Sequence, residues 1–268
     1  MRRALIVGGS GFIGQHLHRL LELHGWQVSS PARGNLQWMQ TPQDIVFYCA
    51  GLTADFRKQP FATVEAHVHF LQQILQQVQF ERLVYLSSTR VYQKASAGSE
   101  DSLLGVMSQD ASDLYNLSKL MGESLALHSG RPVQIARLSN IYGKGMPSAN
   151  FLADILRTAV RQRHLVFQTA PFSEKDYLHV EDACRYLMCI AGEGCERVYN
   201  VASGQQTQHS TLADWLATQQ VACEFLAGAP AQRFPPVDVS RLHAAFGLPQ
   251  HRLQDDLSEL FSYYSEMP

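Results

Sequence analysis

Residues 4–14 read ALIVGGSGFIG, and this stretch decides the fold. Four apolar residues make a short buried strand. Gly8, Gly11 and Gly14 follow at intervals of three, and an amphipathic run begins after them. The first glycine permits a tight turn, the second lets backbone N–H groups approach a pyrophosphate, and the third lets the helix sit close to the strand. The helix then presents the positive end of its dipole to the anion. The spacing predicts a dinucleotide site built by Gly8, Gly11, Phe12, Ile13 and Gly14. A tight strand-to-helix turn without a ligand is the plainer alternative.

The same alternation runs on from this unit. Residues 25–30 (GWQVSS), 44–51 (DIVFYCAG), 82–88 (RLVYLSS) and 133–139 (VQIARLS) read as further strands. Amphipathic stretches at 13–24, 61–79, 111–129 and 150–163 read as helices. Strands alternating with helices predict an α/β fold, a Rossmann-type doubly wound parallel sheet. The connection 34–43 (GNLQWMQTPQ) is too short for a full crossover helix and strand, so the sheet is expected to be one strand–helix unit short after its second strand. Past Gly143 the pattern changes to short strands and helices. This predicts a dinucleotide-binding domain over 1–142 and a smaller substrate lobe over 143–268, with 177–192 packing back on the first domain.

Composition narrows the partners. The chain carries a formal net charge of -2 and is 17% charged. No block of like charge stands out, which argues against nucleic acid and against a membrane surface. Apolar runs are strand-sized, shorter than a membrane span. The start, MRRALIVGG, is read as a first strand rather than a leader. Cys49, Cys184, Cys189, Cys195 and Cys223 show no metal-ligand or paired spacing, so they are read as reduced thiols of a cytoplasmic protein, with no metal.

The second strand runs into VSSPARG, where an acid would bind the ribose diol of NAD(H). Ser30 and Arg33 stand there instead. A guanidinium suits a 2′-phosphate, which favours NADP(H), with Arg33 as a solvated loop residue being the alternative. Tyr115 and Lys119, four apart in DLYNLSKLMGE, share one helix face. An ammonium beside a phenol, together with the charge of an oxidised nicotinamide, favours the phenolate and brings it toward working range. Ser88, at the end of a strand, completes a set of three.

Taken together, VGGSGFIG, DIVFYCAG, YLSSTRVY, YNLSK, ARLSNIYGKG, KDYLHVEDA and YNVASG resemble the extended short-chain dehydrogenase/reductase family of nucleotide-sugar epimerases, dehydratases and reductases. The resemblance covers most of the chain. It implies Ser88 as a hydrogen bond to the reacting sugar oxygen, Tyr115 as general acid/base, and Lys119 on the nicotinamide ribose. It implies Cys49, Ala50 and Gly51 along the cofactor cleft, Thr89 and Arg90 beside the substrate, and Asn140 and Lys175 on it. Lys175 replaces the family's usual arginine and loses its bidentate fork. His67 falls on a position where the family commonly has asparagine. It either takes over that residue's hydrogen bonding or is a structural histidine, and His179 is expected to order the lobe junction.

Departures from the family narrow the chemistry. Dehydratases of this kind carry an Asp–Glu pair where this chain has Thr89 and Arg90, and neither of those does carboxylate work at pH 7. The cysteine of ketone-adjacent epimerases is also missing. The expected activity is therefore NADPH-dependent reduction of a nucleotide-linked keto-deoxysugar, with an epimerase acting through a transient ketone as the alternative. A cofactor-binding scaffold is the non-enzymatic rival. The family also implies a homodimer, through apolar residues such as Leu71, Ile74, Leu75, Leu114, Leu117, Leu120 and Met121.

Overall fold

The computed structural model describes residues 2–52 and 56–267. Six parallel strands form the central sheet: β1 (Arg3–Val7), β2 (Gln27–Ser29), β3 (Gln43–Tyr48), β4 (Phe80–Ser88), β5 (Val133–Leu138) and β9 (Val198–Val201). Their order is β2-β1-β3-β4-β5-β9. Alternation within each strand divides the core into two layers. Ile6, Phe47, Val84 and Leu86 face α1 (Phe12–Leu23) and α6 (Val180–Glu193). Their neighbours Leu5, Val46, Leu83 and Tyr85 face α3 (Phe70–Gln77) and α4 (Asp113–His128). Strands buried on both faces read as near-continuous apolar runs, as ALIV and DIVFY do.

Between β2 and β3 lies only a 3-10 turn, Gln37–Gln40. The three-residue β2 is thus a sheet edge, and the fold is the Rossmann-type sheet expected, with the short connection in place.

The stretch anticipated as one helix over 61–79 is broken. It runs as α2 (Pro60–Val64), a π-helical turn (Glu65–His69) and α3. Part of the stripe expected for a partner serves the chain itself: Leu71, Ile74 and Leu75 are buried, whereas Met121 is exposed.

Beyond β5 the expected short strands and helices appear, in pairings that the sequence did not announce. β6 (Asn140–Tyr142), β8 (Glu174–His179) and β10 (Gln206–Gln208) form a three-stranded sheet. β7 (His164–Phe167) pairs with β11 (Ala222–Phe225). With α5 (Phe151–Gln162), α7 (His209–Thr218) and α9 (Leu253–Ser265) they enclose a second apolar core. α8 (Ser240–Phe246) packs beside β9. No helix among the described residues is long and apolar enough to cross a membrane.

Candidate active site

The glycine loop fits a pyrophosphate. Gly8 has φ +86°, and a Cβ there would lie 2.7 Å from the amide nitrogen of Ala50. A Cβ on Gly14 would lie 2.5 Å from the Gly8 carbonyl oxygen, so helix and loop meet backbone to backbone. Gly11 caps α1 without a side-chain bond, leaving first-turn N–H groups without a side-chain acceptor from the cap. Cys49, Ala50 and Gly51 follow β3 beside this loop. Burial pushes the Cys49 thiol up to about 12, despite the Lys119 ammonium near it, so it is inert.

At the end of β2, the Ser30 hydroxyl lies 2.7 Å from His18 Nδ1 and packs against Gly9. Arg33 is exposed and has no partner among the described residues. His18 was not anticipated. It lies within the α1 stripe, where nothing in the pattern marks it off from the residues around it.

α4 delivers Tyr115 and Lys119 into the interior, with only 5% and 4% of their surface exposed. Lys119 Nζ donates to the Leu86 carbonyl at 2.8 Å and lies 5.0 Å above the Tyr85 ring. Burial lowers its pKa to about 8, with Glu123 and Cys49 opposing. Tyr115 is wedged between Phe56 (5.3 Å) and His67 (5.3 Å, edge-on).

The protein's own groups do not by themselves draw the phenol into working range; the expectation also counted on an oxidised nicotinamide. Burial raises Tyr115 above its ordinary value, and the groups that oppose this are the hydrogen bond to Ser88 and the charge of Arg90.

Ser88 ends β4 and caps the turn Thr89–Tyr92 by accepting the Arg90 N–H at 3.2 Å. Thr89 Oγ1 bonds the Leu138 carbonyl at 3.4 Å. The Asn140 amide is committed to the Asp176 carbonyl at 2.9 Å, tying β6 to β8. Arg90 reaches over Tyr115, 6.0 Å from the ring centroid, and its buried Nε has no partner among the described residues. It borders a cavity of about 340 Å³ that Arg57, Lys94 and Arg233 also line. Lys94 is neutralised by Asp110 and Asp113, while Arg57 donates to the Ser112 hydroxyl at 2.9 Å and lies over the Phe56 ring at 4.5 Å, with no acidic partner among the described residues. Burial, and then the charge of Arg90, lowers Lys175 to about 8, and its Nζ lies 4.0 Å from the Phe151 ring centre. Arg57, Phe56 and Arg233 escaped the sequence reading because loop side chains have no periodicity to show where they point.

One group of three possible metal ligands occurs among the described residues: His179, His251 and Asp256. The two imidazoles stack at 4.0 Å with planes 23° apart, so their in-plane lone pairs run alongside each other and do not converge on an ion. His179 instead caps α6, accepting the Glu181 N–H at 3.3 Å.

Two buried histidines make stability pH-dependent. Burial, reinforced by a neighbouring lysine, lowers His67 to about 2 and His209 to about 4, from an ordinary value of 6.5. Unfolded chains take up protons below pH 6.5 that the folded form refuses, so stability falls as pH falls. The loss is at most about 1.4 kcal/mol per pH unit for each group, together up to roughly 4 kcal/mol at pH 5. Urea midpoints at pH 7.5 and pH 5 measure it; equal midpoints contradict it.

The model of the NAD-dependent epimerase/dehydratase family matches residues 4–202. The chain belongs to that family. GDP-6-deoxy-D-mannose reductase of Pseudomonas aeruginosa is 26% identical over 246 residues, covering 81% of this chain and 79% of its own. A dTDP-4-dehydro-6-deoxy-D-allose reductase of Streptomyces bikiniensis is 24% identical over 258 residues, covering 79% of each chain. Among solved structures, RMD from Pseudomonas aeruginosa complexed with NADPH matches with a TM-score of 0.82 at 25% identity, over 99% of this chain and 100% of that one. The NAD-dependent NDP-hexosamine 5,6-dehydratase TunA shares the fold, with a TM-score of 0.84 at 21% identity over 100% of this chain and 99% of that one. The protein is thus an NAD(P)-dependent enzyme of the oxidoreductase/epimerase type.

Proposed function

We propose that this member of the family reduces a nucleotide-linked keto-deoxysugar with NADPH. One observation carries the reading. A buried tyrosine lies beneath Arg90, which lines a basic cavity, and Thr89 and Arg90 follow Ser88 where a dehydratase of the resembled family has carboxylates. The names of the relatives at 26% and 24% identity agree with it.

A bound nicotinamide supplies the hydride. The chain's own residues supply everything else. Ser88 donates a hydrogen bond to the carbonyl oxygen and holds it in line, and Tyr115 gives that oxygen its proton. The Arg90 and Lys175 cations, close enough to repel each other, favour an anion between them, which a diphosphate provides. Arg57 and Arg233 extend that positive field outward. Ser30 and Arg33, with no acid at the end of β2, support NADPH over NADH.

Purified protein mixed with NADPH and a panel of nucleotide-linked 4-keto-6-deoxy sugars should consume the reduced-nicotinamide absorbance with at least one of them. If none is consumed, and unoxidised nucleotide sugars interconvert on tightly retained cofactor, the enzyme is an epimerase and the proposal fails.

A further inference from the structure

We infer that His67 is a positioning residue that couples the loop after β3 to the backbone of Tyr115. The coupling is a chain of three hydrogen bonds. The Leu52 N–H donates to His67 Nε2 at 3.2 Å. With Nε2 accepting, the ring's proton is on Nδ1, which donates to Ser118 Oγ at 2.7 Å. The Ser118 hydroxyl in turn donates to the Tyr115 carbonyl at 2.9 Å. Every donor has one acceptor, so only one tautomer satisfies the chain.

The imidazole is built to hold that state. It is wholly buried, and burial together with the Lys119 ammonium keeps it neutral. A Cβ on Gly51 would lie 3.0 Å from His67 Nε2 and 3.5 Å from Lys119 Nζ, so ring, lysine and loop share one small volume.

The π-helical turn is what brings the ring there. A π-turn displaces backbone carbonyls from their usual partners. Here the Ala66 carbonyl accepts the Tyr48 hydroxyl at 2.6 Å, and the His67 carbonyl accepts the Tyr85 hydroxyl at 3.2 Å. Two tyrosines from adjacent strands thus pin the turn from the sheet side. α4 closes from the other side at Gly122, where a Cβ would lie 2.7 Å from the same His67 carbonyl. A ring that only filled space would need neither the widened turn nor two directed bonds.

The consequence rests on the proposed function, in which Gly51 and Leu52 border the cofactor and Tyr115 delivers the proton. Movement of one is transmitted to the other through two side chains, His67 and then Ser118. The two ends can be cut separately. Asparagine places an amide nitrogen where His Nδ1 stands, whereas glutamine reaches as far as Nε2. His67→Asn keeps the Ser118 bond and frees Leu52. His67→Gln keeps the Leu52 bond and frees Ser118.

For His67→Gln, and likewise for Ser118→Ala, kcat should fall about 10- to 100-fold. Their Kd for NADPH, read by fluorescence, should stay within about threefold of the parent value. For His67→Asn the Kd should rise about fivefold or more, with kcat at saturating cofactor held within about threefold. His67→Leu should show both losses. The inference is overturned if the Asn and Gln variants change Kd alike, or if both effects merely follow the loss of Tm. Binding of NADPH requires no sugar. If the parent protein reduces no keto-sugar but the Kd values still separate, the proposed reaction fails and the coupling stands.

Discussion

Tyr115→Phe is expected to lower kcat by about 10²- to 10⁴-fold, the usual contribution of a positioned proton donor. The substitution is clean because the ring keeps its packing against Phe56 and His67 and loses only the hydroxyl that meets Ser88. NADPH should bind the variant as it binds the parent, and the Tm should move little. Single-turnover reduction of a keto-sugar by pre-bound NADPH measures the proton-coupled step directly. Retention of more than about a tenth of the parent rate would mean that another group, or water, protonates the oxygen. A scaffold protein would keep its phenotype unchanged.

The largest expected loss of stability lies about two turns further along α4, at Glu123. Arg137 and Glu123 are 5% and 3% exposed and form a bidentate pair, with Nε to Oε1 at 3.0 Å and Nη2 to Oε2 at 2.7 Å. Arg137 Nη1 also donates to the Tyr92 hydroxyl at 2.7 Å, and that hydroxyl donates to Asn200 Oδ1 at 2.7 Å. The pair therefore joins α4, β5, β9 and the turn after Ser88.

Arg137→Met removes one charge and leaves Glu123 buried alone, which is expected to cost about 3–5 kcal/mol. That is a large share of the roughly 5–15 kcal/mol that holds a domain folded. Adding Glu123→Gln should restore part of it, because the stranded charge goes too. Urea unfolding of the two single variants and the double variant measures this. A loss under about 1 kcal/mol for Arg137→Met, or no recovery in the double variant, would show that the network is not what secures α4. Glu123 also holds up the pKa of Lys119, so the same variants should shift the alkaline limb of the activity profile.

The quoted loop and the alternating strands were legible because backbone chemistry forces them. Only glycine suits φ +86° at Gly8, and a strand covered on both faces is apolar at most positions. Ser88, Tyr115 and Lys119 were legible for a related reason. A strand end and two residues four apart on a helix have directions fixed by local geometry. The turn after Ser88 could be judged by what it lacks, since missing carboxylates need no coordinates to be seen.

Other features had no local signature. VEAHVHF reads as plain helix, and its π-turn exists only because Tyr48 and Tyr85 on neighbouring strands accommodate the displaced carbonyls. His67 could be counted in the sequence but not connected. Among the protein's own groups, burial outweighs the charges around Tyr115, and burial belongs to the whole fold. The basic cavity draws Arg57, Arg90 and Arg233 from three distant parts of the chain. By itself, the sequence determined the sheet, the glycine loop and the shared helix face of Tyr115 and Lys119, since each follows from backbone dihedrals or helical period. Tertiary structure alone decided the burial of that tyrosine, its hydrogen-bond chain and its charged surroundings, because solvent exclusion and long-range contacts exist only once the chain has closed.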